Sequence, residues 1–394
     1  MTIRTPVSIQ AATRAALLAL AALASLGAGG ATSTAPPTAT PTPTAVATSA
    51  PRMDLASVPM LAYYYIWFDP SSWNRAKTDL PLLGAYSSDD EAVMRKHIEQ
   101  AKSAGIDGFI VSWKSTTVLD RRLDTLVRVA RELDFKLAII YQGLDFSREP
   151  LPATRIAEDL DFFLAHYAGD PVFDIFGKPL VIWSGTWRFS EAEIAAVAGP
   201  RRDRLLILAS EQSVNGFERL AQLVDGDAYY WSSVNPDTYP GYPGKLAAMG
   251  AAVHDAGGLW IAPAAAGFDA RLLGHTTVVD RQDGTMLERQ LEASISSFPD
   301  AIGLISWNEF SENSYVEPSR TYKDQSLQVL ARLNKTNLAT VSDFDSSAPA
   351  GVDASAGAGR LLAILAVVGI GVVGAGVTIR RRRRTTRRRR RTTR

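Results

Sequence analysis

Eight short apolar runs, separated by amphipathic segments, constrain this chain more than any other feature. They begin at Val58 (VPMLAYYYIWF), Ile106 (IDGFIVSW), Lys136 (KLAIIYQG), Lys178 (KPLVIWSG), Arg204 (RLLILAS), Asp227 (DAYYWSS), Gly258 (GLWIAPA) and Ala301 (AIGLISWNE). Each is brief, rich in β-branched and aromatic residues and nearly unbroken in hydrophobicity, the pattern of strands buried on both faces of a parallel sheet. Helical patterns lie between them. SSDDEAVMRKHIEQAKSAG puts Ser88 three residues before Glu91, a capping box, and closes on Gly105. LDRRLDTLVRVARELD sets Leu119, Leu123, Leu126, Val127 and Ala130 at helical spacing. Eight strand–helix units predict an α/β chain folded as a (β/α)8 TIM barrel over residues 53–338. An open doubly wound sheet is the lower-ranked alternative, because no Gly-x-Gly-x-x-Gly turn follows the first run.

The flanks read differently. Residues 1–30 pair Arg4 and Arg14 with an apolar stretch and small residues, a signal-peptide pattern. Residues 31–52 are a Pro/Thr/Ala tract with too little apolar surface to offset ordering entropy, hence a linker. A second linker, 339–360, leads to LLAILAVVGIGVVGAGVTI (361–379), uncharged and long enough to cross a bilayer as one helix. The Arg-rich tail, 380–394, then marks the cytoplasmic side and leaves the barrel extracellular on a single-pass membrane protein. Eleven of the 42 basic residues lie in that tail, so the remainder holds 31 basic against 41 acidic residues, a net of −10. An acidic outer part is a poor polyanion binder, and no nucleic-acid partner is expected.

Nor is a cofactor or metal expected. The chain has no cysteine, and its four histidines form no ligand motif such as His-Glu-x-x-His. No obligate protein partner is evident.

Barrel chemistry sits at the C-terminal ends of the strands. Those ends carry Tyr65, Trp67, Trp113, Tyr141, Gln142, Trp183, Trp231, Asp269 and Asn308, with Glu317 in the last loop, as candidate substrate-binding residues, together with Glu309 and Glu312 as the candidate catalytic pair. Aromatic rings stack on the C–H faces of a sugar, while amides and acids meet its hydroxyls. Plain core packing accounts equally well for any single ring. Glu309 follows the eighth run directly and Glu312 lies one short turn later. Two carboxylates at one rim are what glycoside hydrolysis uses, and close like charges drive the two pKa values apart. The competing reading pairs Glu309 with Lys114 and leaves Glu312 a solvated loop charge.

The segments YYYIWF, GAYSSDD, AGIDGFIVSW, GFDARLLGHTTVVDRQDG and SWNEFSENSYVEPS occur in the order in which glycoside hydrolase family 99, the endo-α-mannosidases, carries similar ones. The chain resembles that family, or the looser group of family-99-like proteins, from about Val58 to Leu330. The resemblance implies a retaining hydrolase of α-linked, mannose-containing glycans that needs no redox cofactor. It also implies roles: Glu309 takes a proton from the sugar 2-hydroxyl, whose oxygen forms a 1,2-anhydro sugar, and Glu312 is acid then base. An ordinary double displacement is the other retaining route. The family pattern Asn-Glu-Trp-His-Glu-Gly is altered here at Phe310, Ser311 and Asn313, and Tyr141-Gln142-Gly143 replaces a Glu-Pro-Tyr-like segment. An α-glucan hydrolase and a non-catalytic glycan-binding barrel are therefore the alternatives.

Overall fold

A computed structural model describes residues 54–338 of the chain. The expected signal peptide, both linkers, the transmembrane segment and the arginine tail lie outside the described residues. Among the described residues no helix is long and apolar enough to cross a membrane.

Eight parallel strands form the sheet: β1 (Met60–Tyr65), β2 (Gly108–Trp113), β3 (Lys136–Gln142), β4 (Leu180–Ser184), β5 (Leu206–Leu208), β6 (Gly226–Ala228), β7 (Leu259–Ala265) and β8 (Ala301–Ile305). They are hydrogen-bonded in the order β5-β4-β3-β2-β1-β8-β7-β6. A parallel bridge between Ala209 and Asp227, with Ala209 N–H donating to the Gly226 carbonyl at 2.9 Å, joins the two end strands and closes the barrel. A helix follows every strand: α1 (Glu91–Ser103), α2 (Thr117–Glu132), α3 (Ala153–His166), α4 (Glu191–Ala198), α5 (Val214–Glu218), α6 (Tyr242–Asp255), α7 (Thr285–Ile295) and α8 (Gln325–Asn334). This is the (β/α)8 barrel that the alternation of runs predicts.

The strands are apolar on both faces because each face meets a separate core. Leu61, Tyr63, Ile110, Ile140, Ile182, Ile261 and Ile305 fill the barrel interior. Their chain neighbours, such as Tyr64, Val111 and Trp113, pack outward against the helices. Gly303 makes the interior possible at one point, since a Cβ there would lie 2.9 Å from the Tyr63 ring. At the end of α1, Gly105 adopts φ +82°, the left-handed turn that stops a helix.

The start of α1 corrects the expected capping box. Asp90 is the N-cap and accepts from the Ala92 N–H, whereas Ser88 Oγ accepts from the Phe68 N–H at 3.1 Å. Ser88 therefore pins the β1–α1 connection rather than the helix. Glu91 is drawn sideways to Arg128 on α2, with which it makes two bonds of 2.8 Å.

Candidate active site

The β8–α8 connection carries the acid pair, and its backbone is folded back on itself. Ser306 N–H donates to the Ser314 carbonyl, and Val316 and Glu317 return to the Ser306 and Trp307 carbonyls, each at 2.9 Å. Behind it, the buried Arg281 guanidinium donates to the carbonyls of Asn313 (2.9 Å) and Tyr315 (2.8 Å) and stacks over the Tyr315 and Tyr322 rings. A short hairpin after β7 (Phe268–Asp269 with Val278–Val279) supplies one more tie, from Asp269 N–H to the Glu312 carbonyl at 2.7 Å. The excursion is thus a rigid platform.

Glu309 and Glu312 both project from that platform into one hollow, lined also by Trp67, Asp69, Arg75, Lys77, Leu273 and Ser311. Both residues are almost wholly buried, at 3% and 2% exposure, so neither is a solvated surface charge. Burial raises both carboxyl pKa values, and other groups then separate them. Glu309 Oε1 accepts the Ser311 N–H at 2.9 Å, and with the Lys77 ammonium this limits its rise to about 7. Glu312 is raised well above the ordinary carboxylate range by burial and by the charge of Glu309, against a lowering from Arg148. Among the described residues its Oε2 meets no partner. Glu312 is accordingly the group that keeps its proton, and Glu309 the one that ionises.

Trp67 separates this hollow from a larger groove of about 680 Å³ on the β2–β4 side, and lines both. Ser112, Gln142 and Ser184 form the groove's floor at the strand ends, with Gln142 Nε2 donating to Ser112 Oγ at 2.9 Å. Lys114, Phe146 and Arg148 stand at its walls, the Lys114 ammonium 5.2 Å from the Phe146 ring centre. Lys114 thus faces the groove, and the pairing of Glu309 with Lys114 is not seen. Asp89, also on the groove, is held far below the usual range by Arg122 and Arg121. Among the described residues no three metal-ligating side chains gather in one place.

Of the expected sugar-binding residues, Trp67 and Gln142 line the cleft, and Tyr65 is fully buried beside it. The Tyr65 ring stacks on Trp67 at 4.2 Å, and its hydroxyl lies 2.9 Å from that of Tyr230. Both phenols feel the charges of Glu309 and Glu312, which add to burial in raising their pKa values. The others are corrections. Trp113, Tyr141 and Trp183 occupy one register row of β2, β3 and β4 and all point outward into the helix-facing core. There Trp113 Nε1 donates to Asp120 at 3.0 Å and the Tyr141 hydroxyl to Asp159 at 2.9 Å. Trp231 packs on that side too, beneath the Lys245 ammonium at 4.9 Å. The Asp269 side chain is bound to Arg271 at 2.7 Å. Asn308 and Glu317 are buried in the scaffold beneath the acid pair.

Lys77, Arg148, Ser112 and Ser184 are among the cleft residues that sequence reasoning passed over. The serines had a signal, since they sit one place before or after an outward aromatic and must face the opposite side. The two cations had none, because a charge within a loop carries no periodicity.

The geometry is that of a carboxylate pair in a cleft at the barrel's C-terminal rim, and the model of glycosyl hydrolase family 99 matches residues 74–337. The chain belongs to glycosyl hydrolase family 99. It is a glycoside hydrolase, and its substrate class is glycans. Similar solved structures include an endo-α-mannosidase of this family from Bacteroides thetaiotaomicron bound to bis-tris propane (20% identity, TM-score 0.62, covering 70% of this chain and 96% of that one). Another structure of the endo-α-mannosidase from that organism gives 19% identity and TM-score 0.61, with 70% and 95% covered. A glycoside hydrolase-like protein gives 16%, 0.58, 73% and 97%. A comparison with curated protein sequences finds no match.

Proposed function

We propose that this family 99 chain is a retaining hydrolase of α-linked, mannose-containing glycans that works through Glu309 and Glu312. The observation that carries the reading is the pair of buried carboxylates in one hollow with their pKa values separated by unequal hydrogen bonding. Glu312 gives its proton to the glycosidic oxygen as the C–O bond breaks. Glu309 takes the proton of the neighbouring 2-hydroxyl, whose oxygen closes on the anomeric carbon to give a 1,2-anhydro sugar. Water then attacks the same carbon and yields its proton to Glu312, while Glu309 returns its proton to O2. Two inversions leave the configuration retained. Trp67 and Gln142 would meet the sugar, with Ser112 and Ser184 on the floor of the groove.

The same reading keeps the enzyme on the outer side of a membrane. Lys335 Nζ pairs with Asp54 at 2.9 Å, and Asn334 Nδ2 donates to the Ala104 carbonyl at 3.1 Å. Both ends of the described chain therefore leave at the face where the strands begin, opposite the acid pair.

The test is a screen of α-mannan and α-glucan oligosaccharides read by new reducing ends. Release from mannan alone supports the proposal, and release from glucan alone replaces the sugar. Binding without product would mean a glycan-binding barrel, against the catalytic reading.

A further inference from the structure

Beneath the acid pair lies a buried polar chain that neither proton transfer nor sugar contact uses. Asn308 Nδ2 donates to the Tyr86 hydroxyl at 3.3 Å, and that hydroxyl donates to Glu317 Oε2 at 2.9 Å. Glu317 Oε1 lies 3.1 Å from His97 Nε2, and His97 Nδ1 lies 3.0 Å from the Tyr64 hydroxyl. The side chains of His97 and Glu317 are fully buried, at 0% exposure each. One donor–acceptor assignment satisfies every member. Glu317 accepts from Tyr86 O–H and His97 Nε2–H, and His97 Nδ1 accepts from Tyr64 O–H. Asn308 is itself locked to β1, its Oδ1 accepting from the Tyr65 N–H at 2.9 Å and its Nδ2 also donating to the Tyr65 carbonyl at 3.0 Å.

Asn308 and Glu317 bracket the segment that bears Glu309 and Glu312, and a single hydroxyl, that of Tyr86, bridges the two brackets. We propose that Tyr86, Glu317 and His97 are positioning residues, a clasp that closes the base of this segment and holds the two carboxylates at their catalytic separation. The inference rests on the reading of Glu309 and Glu312 as the catalytic pair. A buried carboxyl such as that of Glu317 is costly to desolvate and is tolerated where its oxygens are hydrogen-bonded, as both are here. Packing alone does not require the polar atoms. The Tyr86 ring already sits edge-on to Trp73 (4.9 Å), Phe68 (5.7 Å) and His97 (5.1 Å). Phenylalanine would keep those contacts and lose only the bridge.

Tyr86→Phe and Glu317→Gln test the clasp in the full chain. Tyr86→Phe should speed amide hydrogen exchange across residues 308–317 by roughly tenfold while α2 to α6 exchange as in the wild type. It should lower kcat by about ten- to a hundredfold with KM within about twofold, as expected when reacting groups are displaced without loss of sugar contacts. Glu317→Gln can rebuild the chain: its carbonyl accepts from Tyr86, its amide donates to His97 Nε2, and His97 Nδ1–H turns to Tyr64. That variant should keep kcat within roughly threefold. Unchanged exchange in 308–317 for Tyr86→Phe overturns the proposal whether or not a substrate is in hand. So does an unchanged kcat, or a Glu317→Gln variant as impaired as Tyr86→Phe. A wild-type enzyme without turnover on any glycan would instead refute the catalytic reading and leave the exchange result to judge the clasp.

Discussion

Replacing Glu312 by glutamine removes one proton and little else. The amide is isosteric with the carboxyl, the site is only 2% exposed, and Oε2 has no protein partner whose bond would be lost. Trp67 and the groove floor are untouched, so glycan binding should persist. A positioned general acid contributes about 10²- to 10⁴-fold, or roughly 3–5 kcal/mol at about 1.4 kcal/mol per decade. We expect kcat on an oligosaccharide to fall by that factor. In kcat/KM, which reports the first step alone, the loss should shrink below about tenfold with a dinitrophenyl α-glycoside, whose leaving group departs without protonation. The pH profile gives a second signature. Wild-type activity falls below the Glu309 pKa of about 7, where the base is protonated, and falls again at alkaline pH as Glu312 ionises. Glu312→Gln should lose the alkaline fall and keep the acid one. Stability should move the other way. A carboxyl whose folded pKa is raised stabilises fully below its unfolded value and loses that contribution as pH rises through the folded one. The variant should therefore melt higher than wild type at alkaline pH. Equal losses of kcat/KM on the natural and activated substrates, or an alkaline limb that survives, would refute the assignment.

Lys77→Met removes a cation that lowers the Glu309 pKa, so the acid limb of kcat/KM should move to higher pH; a limb that stays put would detach Lys77 from Glu309. Trp113→Ala should cost about 3–5 kcal/mol in denaturant unfolding, the usual range for a buried indole. Its activity per folded molecule should be unchanged, and a selective loss of sugar affinity would return Trp113 to the cleft. Asp227 is fully buried, with one oxygen unpartnered and its pKa raised well above normal by burial. By the same linkage Asp227→Asn should leave Tm unchanged near pH 4 and raise it near pH 9, and a Tm difference independent of pH would contradict a protonated Asp227.

The barrel was legible because a strand buried on both faces leaves no choice of residue: eight such runs survive as eight apolar words. The same property hid the site. Where both faces are apolar, hydrophobicity loses its period of two and no longer tells lumen from helix side. Trp113, Tyr141 and Trp183 thus read as a cleft wall while lying in one outward row. The acid pair was legible because carboxylates directly after a buried strand have few structural uses. The clasp was not: Tyr86 and Glu317 each fall in a family-like segment, but they stand 231 residues apart and nothing local pairs them.

Small polar residues would have resolved the rim. A serine or glutamine facing the helices must find a partner in a dry layer, whereas one facing the cleft can bond to water or sugar. Ser112, Gln142 and Ser184 each adjoin an aromatic residue at a strand end, and period two then sends the polar one to the cleft and the aromatic one to the helices. On β1, where no small polar residue adjoins Tyr65, strand register decides its side. Asn308 ties itself to the Tyr65 backbone, and β1 pairs Tyr65 with Ser112, a floor residue of the groove, so Tyr65 faces the lumen with it. In this barrel the cleft-facing surface is marked less by its aromatics than by the small polar groups between them.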